Sequence, residues 1–189
     1  MVHISLGENC LVQNLLLKKN LTQETLPFSY LYTDIRFVTE VINNGFRIFI
    51  ERGVLNQYPE HKWRFFHYKM NRISTIDSFI RKINRFQSHL INDQIVFWYN
   101  YRYNKDNDIN SLIKDFQAFD EQIKADAKYI ILVQNINQKK QDFKHYQISK
   151  FNIIECYDQN IWEGENYDGK TFSEQFDKLL YEYKILNKL

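Results

Sequence analysis

The chain has 189 residues, 44% of them hydrophobic and 25% charged, a balance that supports one well-buried core and excludes the disordered class. Its 25 basic and 23 acidic residues are interspersed and leave a formal charge of +2, so no dense basic block is present to track phosphates and no nucleic-acid partner is expected. No apolar run approaches the roughly 20 residues that span a bilayer. The start, Met1 to Glu8, lacks the form of a secretory signal, and two distant cysteines, Cys10 and Cys156, do not make a disulfide scaffold. A single cytoplasmic domain over residues 1–189 is the expectation.

Val2 to Leu6 reads as a first strand closed by a tight turn at Gly7. Leu11, Val12, Leu15 and Leu16 then fall on helical spacing up to Lys18 and Lys19, whose charges suit a helix C-terminus. This spacing puts Cys10 at or just before a helix N-terminus. Pro27 makes Leu26-Pro27-Phe28-Ser29-Tyr30 a loop, because the residue before proline is pushed out of the helical region. Thr33 and Asp34 can cap a helix carrying Ile35, Val38, Val41 and Ile42 that stops near Asn44-Gly45, with a short helical stretch from Phe46 to Glu51 after it.

Trp63 to Lys69 reads as a half-buried strand, although the basic residues among its aromatics would also suit an anionic ligand. Ser74-Thr75-Ile76-Asp77 has capping-box form and opens a helix with Ile76, Phe79, Ile80, Ile83, Phe86 and Leu90 on one face. Gln94 to Tyr99 is a compact strand, and Ile109, Leu112, Ile113, Phe116 and Ile123 mark another amphipathic helix. Lys128 to Val133 and Phe151 to Cys156 are apolar strands of the kind found in parallel sheets. A loop with Gly164 and Gly169 leads to Thr171-Phe172-Ser173-Glu174, which opens a final helix through Leu186. Strands alternating with helices predict an α/β fold: a mainly parallel central sheet with helices on both faces, in three layers.

In such a sheet, sites lie at the carboxyl ends of strands. The positions to inspect are Gly7 to Cys10, Asn100 to Arg102, Gln134-Asn135 and Tyr157-Asp158. At the first, glycine permits a strained turn and the helix presents unpaired N–H groups. A thiol placed there can ionise more readily and act as a nucleophile, with backbone N–H groups and the Asn9 amide available to an oxyanion. The bland alternative is a small buried residue at a helix start. Five histidines could serve as its base: His3, His61, His67, His89 and His145. His67 comes first, since it falls near the end of a predicted strand, and His61 second. No cysteine or histidine pair has metal-ligand spacing, and one glycine does not make a phosphate loop. Trp162 to Gly169, with Asp158 and Asp168 nearby, could bind a sugar or orient a base, or be solvated turn chemistry.

Ile4-Ser5-Leu6-Gly7-Glu8-Asn9-Cys10, the apolar helix after it, Leu26-Pro27-Phe28-Ser29-Tyr30 and Phe65-Phe66-His67 together resemble a bacterial and viral family of papain-like cysteine peptidases. Its members open with serine-leucine-glycine-x-asparagine-cysteine and follow with proline-phenylalanine-aspartate-tryptophan. This chain departs at Ser29, where aspartate is usual, and at Tyr30, where tryptophan is usual. The resemblance implies Cys10 as nucleophile and His67 as its partner, with Asn9 assisting and Gly7, Phe28, Ser29 and Tyr30 placed at the substrate. A weaker similarity is to capsule-biosynthesis acetyltransferases, which carry an asparagine-cysteine pair after their first strand and use coenzyme A.

Three functions follow as expectations. The first is a thiol hydrolase or acyl transferase that needs no cofactor and acts on a peptide, acyl or glycan substrate. The second is a coenzyme A-dependent acetyltransferase of surface polysaccharide. The third is a non-catalytic ligand-binding or accessory domain.

Overall fold

The computed structural model describes residues 1–7, 10–55, 63–64, 68–92, 94–103, 108–123, 125–135 and 144–157. In chain order the elements are β1 (Val2–Ser5), α1 (Cys10–Lys18), β2 (Tyr32–Thr33), α2 (Ile35–Asn43), α3 (Arg47–Leu55), β3 (Trp63–Arg64) and α4 (Ile73–Asn92), followed by β4 (Ile95–Tyr103), α5 (Ile109–Gln122), β5 (Ala127–Asn135), β6 (Lys144–Ile148) and β7 (Phe151–Tyr157). Five strands form one sheet in the order β1-β4-β5-β7-β6. The first three pairings are parallel, and β6 runs antiparallel along β7. The fold is therefore α/β with a mainly parallel sheet. β2 and β3 make a separate antiparallel ladder.

Strand alternation divides the core. On β4, Val96 and Trp98 point to the side where Leu11, Val12, Leu15 and Leu16 of α1 are buried, together with Ile130, Leu132 and Ile154. Ile95, Phe97 and Tyr99 point the other way, into a larger cluster that takes in residues of α2, α3, α4 and α5. That cluster is built from rings. Phe97 stacks on Tyr129 at 5.5 Å and meets Phe119 edge-on at 5.3 Å, while Phe28 is ringed by Phe46, Phe49 and Phe86 at 5.8, 5.7 and 5.6 Å. Such offset and edge contacts add to the burial of large apolar area.

Local chemistry explains the element ends. Asp34 caps α2 by accepting from the Phe37 N–H at 2.8 Å, and Asp108 caps α5 by accepting from the Asn110 N–H at 2.9 Å. Gly45, at φ 59, follows α2 in the left-handed conformation expected of a helix stop. The Ser74 capping box is not used: the Thr75 and Ile76 N–H groups both bond to the Arg72 carbonyl, and α4 begins at Ile73. The turn that ties the Arg72 N–H to the Lys69 carbonyl already feeds the chain into the helix. α3 runs through Gly53 to Leu55, past the expected stop. Of the strand expected over 63–69, only Trp63 and Arg64 are strand; Tyr68 and Lys69 are not, and 65–67 lie outside the described residues. So do the expected loop from Asp158 to Gly169 and the final helix from Thr171. β6 is an addition to the sequence reading. Among the described residues, no helix is long and apolar enough to cross a membrane.

Candidate active site

β1 leaves the sheet at Ser5, and the Leu6 N–H still reaches the Trp98 carbonyl at 2.9 Å. Gly7 then turns with φ +96. Its Cα faces the segment 28–33 so closely that an added Cβ would lie 2.0 Å from Thr33 Oγ1, 3.2 Å from the Leu31 carbonyl and 3.3 Å from the Phe28 carbonyl. Thr33 Oγ1 in turn donates to the Leu6 carbonyl at 2.8 Å. The turn is thus backed by the loop that contains Pro27, and glycine is required on two counts, conformation and space.

α1 opens with Cys10 as its first residue, a half-buried thiol at the carboxyl end of the parallel sheet. Burial pushes that thiol above its ordinary range, and its own backbone N–H draws it back only in part. The lowered pKa expected of a helix N-terminus does not prevail, because the loss of hydration is the larger effect. Cys10 therefore rests as a thiol at neutral pH, and its nucleophilicity calls for a base.

The loop 26–31 serves two ends. Phe28 is wholly buried among rings, and Ser29, also buried, accepts the Leu26 N–H at 2.8 Å, closing the turn after the proline. Tyr30 is half-buried: burial raises its phenol pKa first, and the charge of Cys10 raises it further. Tyr68 shares this environment. Its phenol is pushed up to about 12 by burial, then by Tyr30 and by Cys10. The Tyr68 ring sits edge-on to Phe79 of α4 at 4.7 Å, and its hydroxyl accepts from Lys82 Nζ at 3.0 Å. Lys82 is only 7% exposed, and its Nζ lies 4.5 Å from the Tyr68 ring centroid and 4.8 Å from that of Phe79.

The segment before this loop is clamped from two sides. Gln13 of α1, buried, donates to the Glu24 carbonyl at 2.9 Å. Arg85 of α4 donates to the Thr25 carbonyl at 3.0 Å, and His89 meets the Glu24 carboxylate at 3.1 Å.

Of the residues singled out in the sequence, the structure seats Gly7 against the Phe28 and Leu31 carbonyls just before Cys10, keeps Tyr30 within electrostatic range of the thiol, and uses Phe28 and Ser29 as core and turn. Asn9 and His67 lie outside the described residues, as does His61. The other histidines are placed elsewhere: His3 within β1, where its Nδ1 accepts from Trp98 Nε1–H at 2.9 Å; His89 against Glu24; and His145 on the outer strand β6. Asn100 to Arg102 and Gln134-Asn135 belong to the last residues of β4 and β5, since both strands run further than expected. Sequence reasoning did not single out Thr33 as the seat of the Gly7 turn, nor the buried pair of Tyr68 and Lys82. Lys82 had left a signal, a lysine on the same helical stripe as Phe79, Ile83 and Phe86. Among the described residues no three His, Cys, Asp or Glu side chains gather to hold a metal ion.

A strand, a glycine turn and a helix that starts on a thiol, at the carboxyl end of a parallel sheet, define the class: an α/β protein with a cysteine at the first strand-to-helix turn. The chain belongs to the family described as "Putative papain-like cysteine peptidase (DUF1796)", whose model matches residues 1–142. That match takes in Gly7, Cys10, Tyr30, Tyr68 and Lys82. No curated protein and no solved structure matches the chain.

Proposed function

We propose that the protein is a thiol-dependent hydrolase of peptide-type acyl bonds, with Cys10 as nucleophile. The observation that carries this is the position of Cys10, first residue of α1 directly beyond the Gly7 turn, in a chain of a cysteine peptidase family. Because burial holds the thiol protonated, the step starts with proton transfer to a base, the role that the sequence offers to His67. The sulfur then bonds to the acyl carbon, and the carbonyl π pair moves onto oxygen. Collapse of this adduct expels the amine or alkoxide, which takes the proton from the base. Water repeats the sequence on the thioester and restores the thiol. No cofactor enters these steps. The α1 N–H groups, with the amide that the sequence offers at Asn9, serve as donors to the oxyanion.

The departure at Ser29 fits the same reading. Its hydroxyl closes the 26–29 turn, and an aspartate carboxylate at that position would accept the same Leu26 N–H. Position 29 is thereby a turn cap, and Phe28 and Ser29 support the substrate side of the site through Tyr30.

Acylation by p-nitrophenyl acetate, followed by intact-protein and peptide mass spectrometry, tests the reading. One acyl group on Cys10 in the wild type, none in Cys10→Ser, and a rate lowered by ~10²-fold or more in His67→Gln are expected. An acyl group found on another residue, or a rate indifferent to His67, would overturn the nucleophile or the base respectively.

A further inference from the structure

The sheet face on which α1 packs is wider than α1. The helix lies over β1 and β4, yet the core cluster on this side also takes in Ile130 and Leu132 of β5 and Ile154 of β7. All three are 1% exposed or less. From β1 to β7 the sheet spans three strand spacings, about 14 Å, whereas a helix with its side chains is about 10–12 Å across. A helix seated on the first two strands does not also bury a side chain on the fourth. Among the described residues, the apolar side chains that join this cluster from outside the sheet are those of α1 and Leu21. Parallel sheets are covered on both faces, so β5 and β7 call for a second cover here.

Chain length and composition single out its source. Outside the described residues, 136–143 is mostly polar and is used in joining β5 to β6, and 56–62 lies between α3 and β3. The stretch 158–189 is longer and carries the pattern a covering helix needs. Phe172, Phe176, Leu179, Leu180, Tyr183 and Leu186 recur at the spacing of one helical face, while Glu174, Asp177, Lys178 and Lys184 fall on the other. As a helix, residues 172–186 extend about 22 Å, close to the length of the seven-residue β7. The stretch 158–170 is ample to turn the chain back from the end of β7 at Tyr157.

We propose that residues 172–186 form an amphipathic helix that runs back across β5 and β7 beside α1, with its apolar stripe seated on Ile130, Leu132 and Ile154. The occupant of this sheet face is thus the chain's own segment after β7, and it completes the layer that α1 begins. The family model matches residues 1–142, so the cover is built from the part of the chain beyond the match.

Photo-crosslinking in the full chain locates the segment. With p-benzoylphenylalanine in place of Phe176, irradiation should join this residue to a peptide of β5 or β7 in the same molecule, read by mass spectrometry. An adduct confined to another element, or one that joins two copies of the chain, would overturn the proposal. Thiol labelling then measures the cover. In a Cys10→Ser, Cys156→Ser background, Ile154→Cys and Val96→Cys place one reporter beneath each half of the layer. Leu179→Ala should speed labelling at position 154 by ~10-fold or more and at position 96 by less than about 2-fold, while Lys178→Ala, on the polar face, should change neither by more than about 2-fold. Labelling at position 154 that ignores Leu179→Ala, or that rises no more than at position 96, would equally overturn it.

Discussion

Gly7→Ala is the most exacting perturbation of the site. A methyl at this position meets Thr33 Oγ1 at 2.0 Å, and the Leu31 and Phe28 carbonyls flank it at 3.2 and 3.3 Å. Thr33 cannot turn aside freely, because its χ1 is stiff and its hydroxyl bonds to the Leu6 carbonyl at 2.8 Å. Holding alanine at φ +96 costs about 1–3 kcal/mol, and forcing a methyl into a filled space about as much again. The expected loss in urea unfolding is about 2–6 kcal/mol. Thr33→Ala alone removes one buried hydrogen bond and should cost about 1–3 kcal/mol. In the double variant the steric share disappears, so the two changes should couple by about 1–3 kcal/mol. Gly7→Ala within about 1 kcal/mol of the wild type, or strict additivity with Thr33→Ala, would refute the account of a turn seated on Thr33.

Two further outcomes probe the rest of the fold. Tyr129 Oη donates to Asp120 Oδ1 at 2.5 Å while Lys150 Nζ donates to the same oxygen at 2.7 Å, at the amino ends of β5 and β7. Tyr129→Phe should cost about 1.5–3 kcal/mol in chemical unfolding and leave Cys10 alkylation unchanged; a stability equal to that of the wild type would show the contact to be idle. Burial holds His3 below its ordinary value of 6.5, so the folded protein keeps this ring neutral where the unfolded chain protonates it. Stability should fall as pH drops through 6.5 and level off below the native value, and His3→Gln should show a smaller fall between pH 7.5 and 5.5 in urea midpoints. An identical fall in the variant would assign the acid sensitivity to other groups.

What the sequence made legible was local. The α1 stripe, the Asp34 cap, the α5 face and the buried strand at Tyr129 to Val133 each declare themselves within a dozen residues, and each is found. So is the Gly7 turn with a thiol at the helix start. β6 escaped because Lys144-His145-Tyr146-Gln147-Ile148 is an edge strand, half-buried at most, with no apolar alternation to mark it. Ser74 misled because a capping box permits a helix start without compelling one. The buried pair of Tyr68 and Lys82 could not be assembled from spacing, since the two residues lie on separate stretches of chain and meet only through packing.

The place of β1 in the sheet has a consequence in time. Among the described residues β1 lies at the end of the sheet beside β4, paired as Val2 with Ile95 through Ser5 with Trp98. During synthesis β1 emerges well before its partner, and about ninety residues must be made before the first ladder bond can close. Through that interval the Gly7 turn and the first residue of α1, Cys10, lack the sheet that braces them. The turn and the start of α1 are made early, but they are fixed late, by a strand made long afterwards.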